Sequence, residues 1–106
     1  MYKLFVFAPN KEDLINLLIE TASQAGAGVI GNYSCCAFVT SGMGNWKSEE
    51  GSNPTIGEIG KISHEPEVRI EMICPKEKAS AVRKAIKAIH LYEEPEIDFV
   101  ELINVD

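Results

Sequence analysis

The residues with the most chemical potential fall into a few small groups. His90 is followed at once by Leu91-Tyr92-Glu93-Glu94, and Cys35 and Cys36 stand side by side. His64 is the second histidine, and Trp46 is the sole tryptophan. Imidazole and thiolate are soft donors, so Cys36, His90 and His64 are the candidates for holding a divalent transition metal. Free cysteines are most often small core residues, however, and a histidine at a helix C-terminus can serve simply as a cap whose imidazolium meets the negative end of the dipole. Arg69 and Glu71 are spaced to share one face of a strand, with Glu58 opposite them on a neighbour. That set would make either a cross-strand ion pair or part of an anion site. Tyr33, Trp46, Tyr92 and Glu93 complete the candidates for a ligand surface, with Trp46 either an exposed aromatic anchor or a ring folded back on the sheet. Nothing orders Cys36, a histidine and a carboxylate for nucleophilic attack, and no Walker-type phosphate loop is present. The pattern leans away from an enzyme.

These groups need elements to position them. Tyr2 to Ala8 is rich in β-formers and stops at Pro9. Asn10 offers an N-cap, and Leu14, Ile15, Leu18, Ala22 and Ala25 then fall on one helical face, closed by Gly26. Val29 to Thr40 reads as a long strand that sends Cys35 and Cys36 to opposite faces. Gly42 to Thr55 reads as a long loop carrying Trp46. Ile56 to Ser63 reads as a strand, Glu65-Pro66-Glu67 as a turn and Val68 to Ile73 as the returning strand. Pro75 opens a second helix at its first position, with Ala79, Val82, Ile86 and Ile89 as its apolar stripe. That helix stops near His90, and Ile97 to Ile103 returns to strand composition. The order β-α-β-β-α-β predicts an α+β, ferredoxin-like fold, with two helices on one face of an antiparallel sheet and an elaborated stretch between its second and third strands.

The chain has 106 residues, 45% hydrophobic and 25% charged, with a formal charge of -6. This predicts one domain over residues 1–106. The negative charge, without a strong basic cluster, argues against nucleic acid and anionic membranes as partners. No apolar run approaches the roughly 18 residues of a membrane span. Three cysteines cannot all pair within the chain, so reduced thiols in a cytoplasm are the expectation.

The segment Glu50-Gly51-Ser52-Asn53-Pro54-Thr55-Ile56-Gly57-Glu58-Ile59-Gly60-Lys61 resembles the signature of the YqfO-type domain of NIF-three-like proteins. Further matches are Gly28-Val29-Ile30-Gly31-Asn32-Tyr33, Cys36, Gly42, Gly44, Pro66-Glu67-Val68-Arg69-Ile70-Glu71 and His90-Leu91-Tyr92-Glu93-Glu94-Pro95. The domain is similar in fold to CutA and PII signalling proteins, which implies a trimer of ferredoxin-like subunits. In the PII relatives the loop after the second strand contacts targets and closes ligand clefts between subunits. Leu91 replaces a proline of the CutA pattern, and Cys35 stands where many relatives have histidine, which weakens any metal role there. The dinuclear metal sites of the larger proteins belong to flanking domains, so their hydrolase activity is not implied here. The resulting expectation is a non-enzymatic, oligomeric regulatory or small-ligand-binding module with a small molecule or a protein as partner. A metal-binding protein using Cys36 and His90, or a small enzyme with an inter-subunit site, are the alternatives.

Overall fold

Strand β1 (Tyr2–Pro9) sends its side chains alternately to two faces. Leu4, Val6 and Ala8 are fully buried, whereas Phe5 and Phe7 stand half-buried on the other side. Helix α1 (Glu12–Ala25) follows and buries Leu14, Leu18 and Ala22. The expected cap at Asn10 is not formed. Lys11 occupies the cap position without a side-chain bond, and the Asn10 N–H donates instead to the Pro66 carbonyl at 3.1 Å. Gly26 ends the helix as expected, with φ at 124°.

The remaining elements of this computed structural model, which describes residues 1–105, are β2 (Phe38–Lys47), β3 (Ile62–Cys74), α2 (Ala79–Ile89) and β4 (Ile97–Glu101). The sheet order is β2-β3-β1-β4, and every pairing is antiparallel. This is the expected ferredoxin-like arrangement. Val68, Ile70, Met72 and Cys74 of β3 join Leu4 and Val6 beneath Val82 and Ile86 of α2 and Leu18 of α1. Each such apolar side chain contributes about 1.5–3 kcal/mol by leaving water.

Several local expectations give way. The second strand does not run from Val29 to Thr40, because Gly28, Gly31 and Cys35 all take positive φ and break that segment. The strand lies instead over Phe38–Lys47, so most of the expected Trp46 loop is paired with β3. Residues 56–61 are not a strand, and Ile62–Cys74 is continuous through Pro66. Within a strand the N and C=O of one residue point to the same side, and the Pro66 carbonyl accepts from Asn10, just past the end of β1. The missing N–H of Pro66 therefore faces a position where no ladder bond is needed. Finally, Pro75 precedes a 3-10 turn (Lys76–Lys78) that leads into α2, and is not the first residue of the helix.

A 13-residue β3 at about 3.3 Å per residue is roughly 40 Å long, which accounts for the 49 Å long axis of the molecule. The far end of the β2–β3 hairpin projects past Pro9, and the connections 48–61 and 90–96 gather beside it.

Candidate functional site

Helix α2 ends at His90, whose backbone leaves helical geometry with ψ at 143°. Its Nε2 lies 2.7 Å from the Phe7 carbonyl, and its Nδ1 lies 3.0 Å from the Tyr92 backbone N–H. A carbonyl only accepts and an N–H only donates, so His90 is the neutral tautomer with its proton on Nε2. Burial holds its pKa below the usual imidazole range, against opposing pulls from the Phe7 bond and the Glu67 charge. The imidazolium expected at the helix end is thus replaced by a neutral ring, and neither ring nitrogen is left free for a metal.

The same bonds aim Tyr92. Its hydroxyl donates to Glu67 Oε2 at 2.6 Å, and its ring stands 5.5 Å from that of Trp46 with the planes inclined at 57°. Burial, the bond to Glu67 and the charges of Glu67 and Glu65 all push the Tyr92 phenol upward. Trp46 and Glu67 arrive on one sheet face because β2 and β3 pair Gly42 with Glu67 and Trp46 with Ser63. Gly44 lies between them on β2, and a Cβ there would stand 1.8 Å from Glu67 Oε1. Glycine is what lets the Glu67 carboxylate lie down across the strand.

The connection 48–61 closes this corner. The Asn53 N–H donates to the Glu93 carboxylate, at 3.1 and 3.2 Å from its two oxygens, and the Thr55 hydroxyl donates to the Leu91 carbonyl at 2.8 Å. Two connections distant in sequence are thereby tied together over the sheet. Between them lies a cavity of about 430 Å³ walled by Phe7, Trp46 and Tyr92. Carboxylates of Glu49, Glu67, Glu93, Glu94 and Glu96 line it, with Lys47 as its cation, 3.9 Å from Glu49. A hydrogen bond to Asp98, then burial and the charges of Asp98 and Glu67, raises the pKa of Glu96.

Of the residues singled out in the sequence, Trp46, Tyr92 and Glu93 meet in this cavity. The others do not line it, although His90 packs against Tyr92 with ring centroids 5.2 Å apart. Arg69 pairs with Glu71 at 3.4 Å and covers the Phe5 ring at 5.9 Å, beside a smaller cavity of about 240 Å³ that touches Thr40 and Met43 and shares Phe7 and Glu67 with the first. Glu58 does not face them. It belongs to the connection and pairs with Lys61 at 2.8 Å in an exposed bridge, worth at most about 1 kcal/mol. Tyr33 is 75% exposed and meets Ile30 through backbone bonds.

Cys35 and Cys36 are not strand neighbours, because Cys35 has φ at 56° and donates its N–H to the Ser23 hydroxyl. Cys36 is half-buried beside Gly28, and His64 bonds Asn45 across the hairpin. Cys36, His64 and His90 are held by different neighbours. Among the described residues no three His, Cys, Asp or Glu side chains form a metal-binding group. Glu67, Phe7 and Glu96 on the cavity wall, and Asn53 and Thr55 above it, are among the residues that the sequence reading did not single out. Pro66 made Glu67 look like a turn residue, although the run Pro66 to Glu71 already carried a family signal.

This geometry can be set beside known proteins. A "GTP cyclohydrolase 1 type 2 homolog" from Halalkalibacterium halodurans is 41% identical over 104 residues, which cover 98% of this chain and 27% of that protein. A Bacillus cereus protein related to NIF3 matches with a TM-score of 0.81 and 36% identity, over 97% of this chain and 26% of that one. The chain is a YqfO-type domain of the NIF-three-like family. It spans about a quarter of the length of these relatives. The YqfO-type domain also superposes on Pyrococcus horikoshii CutA with a TM-score of 0.68 at 18% identity, covering 100% of this chain and 88% of that one, a likeness of fold. No protein-family model matches the chain. Among the described residues, no helix is long and apolar enough to cross a membrane.

Proposed function

We propose that this YqfO-type domain is a non-enzymatic, oligomeric regulatory or small-ligand-binding module, with the cavity between the two connections as its ligand site. The observation that carries this reading is the cross-tied roof over an aromatic corner. Asn53 holds Glu93, Thr55 holds Leu91, and Trp46 and Tyr92 stand beneath. Cavities of this size with aromatic walls and a few fixed polar groups are typical of small-molecule sites. The walls are rings and carboxylates, and the histidine beside them has both nitrogens engaged. The reading treats residues 1–106 as one domain, since both helices share one core. It places that domain in a cytoplasm, where its three thiols stay reduced.

Assembly into a trimer is part of the proposal. Strands β2 and β4 are the two sheet edges, and β2 exposes Phe38, Val39 and Met43. An open apolar edge is a template for pairing with another chain, and association of copies covers it. Light scattering should give three times the subunit mass at micromolar concentration, and a strict monomer contradicts the assembly.

The ligand claim is tested by melting the protein against a panel of nucleotides and metabolites. A specific ligand at 100 times its Kd should stabilise the fold by about 2.7 kcal/mol.

A further inference from the structure

We infer that the ligand of this cavity is a small organic cation bearing an alkylammonium or guanidinium group, a claim that rests on the cavity being a ligand site. Three features of the walls select that charge and shape.

The first is the aromatic corner. Trp46 and Tyr92 are 5.5 Å apart and inclined at 57°, so their planes diverge and do not stack face to face. A cation within about 6 Å of a ring centroid is attracted by the negative face of the ring, and Trp is the strongest such partner.

The second feature is the charge around that corner. Glu67 is fixed by the Tyr92 hydroxyl and Glu93 by the Asn53 N–H, so two carboxylates are oriented before any ligand arrives. Glu49, Glu94 and Glu96 add to them, and Lys47 is drawn toward Glu49. The pKa of Glu96 is raised chiefly by its neighbour Asp98 and by burial, and the Glu67 charge adds to that rise. An anionic ligand would be repelled by each of these carboxylates, more strongly near the protein surface than in bulk water. An organic cation reverses each of those signs.

The third feature is the mixture of wall types. A bare metal ion needs converging oxygen, nitrogen or sulfur donors, and the described residues form no such group of three. The apolar surface of Phe7, Trp46 and Tyr92 suits carbon atoms next to the charge, and about 430 Å³ leaves room for a short chain beyond it.

Trp46 is the sole tryptophan, so its emission reads this site directly. Choline and agmatine are titrated at low salt, with 3,3-dimethylbutanol as a neutral isostere of choline, glutarate as an anion and magnesium chloride as a metal. At least one of the two cations should change Trp46 emission saturably, while the alcohol, glutarate and magnesium should not. In the rim variant Glu94→Gln, which removes one charge without removing a fold contact, the cation midpoint should rise about fivefold. The cation claim is overturned if the alcohol matches choline, if glutarate or magnesium saturates instead, or if Glu94→Gln leaves the midpoint unchanged. A nucleotide or other anion that stabilises the protein, with no response to either cation, overturns the cation claim and leaves the ligand site standing. Silence from every compound of either charge, in emission and in melting, removes both.

Discussion

Tyr92 reaches from the α2–β4 connection to donate its hydroxyl to Glu67 of β3 at 2.6 Å. This bond joins a residue just beyond α2 to the middle of the central hairpin, and it sets the ring of Tyr92 against Trp46. The fold and the candidate site therefore share one contact.

Tyr92→Phe removes that donor and keeps the ring. Hydrogen bonds to charged groups contribute about 1.5–3 kcal/mol, and half-exposure places this one near the lower end, so urea unfolding should show a loss of about 1–2 kcal/mol. The phenol is raised from its ordinary value of 10.0, so the folded state keeps the proton after the unfolded state has released it. Its contribution is complete below pH 10 and is lost as the pH rises further. Unfolding midpoints between pH 9 and 11 should fall less steeply in Tyr92→Phe than in the parent protein.

His90 gives the opposite sign. Burial lowers its pKa from 6.5, so the unfolded chain binds the proton first and the native state is weakened by acid. Stability from this group is complete above pH 6.5 and declines as the pH falls toward the folded value. His90→Gln keeps a donor for the Phe7 carbonyl but cannot titrate. Denaturant midpoints measured from pH 5 to 8 should be flatter in the variant.

Gly44→Ala tests the site from the side of the sheet. The new Cβ would lie 1.8 Å from Glu67 Oε1 and 2.8 Å from its Cγ, so the carboxylate must swing away and release Tyr92. The expected loss is about 1–2 kcal/mol, the size of the Tyr92–Glu67 bond itself. In a double-mutant cycle, Gly44→Ala with Tyr92→Phe should cost clearly less than the two single losses added together. Full additivity would mean that Gly44 does not act through this bond.

The sequence carried the helices and the element order because both helices are amphipathic, as Leu14, Leu18 and Ala22 or Val82 and Ile86 illustrate. It misled over β2 because Gly42, Gly44 and Asn45 are poor β-formers whose place in the sheet is decided by ten residues of pairing with β3. It misled again at Pro66, where the direction of the missing N–H, invisible in sequence, decides between a turn and a strand. Trp46, Tyr92 and Glu93, singled out by their chemistry, line the cavity proposed as the site. Glu67 was not singled out, since its role comes from lying over Gly44 on the neighbouring strand.

The most direct test of the central claim is a melting panel of nucleotides and metabolites, organic amines included, run in parallel on the parent protein and on Trp46→Ala. A compound should raise the melting temperature of the parent protein in a concentration-dependent manner and leave that of Trp46→Ala unmoved. Equal stabilisation of both proteins, or no stabilisation of the parent by any compound, would contradict that claim.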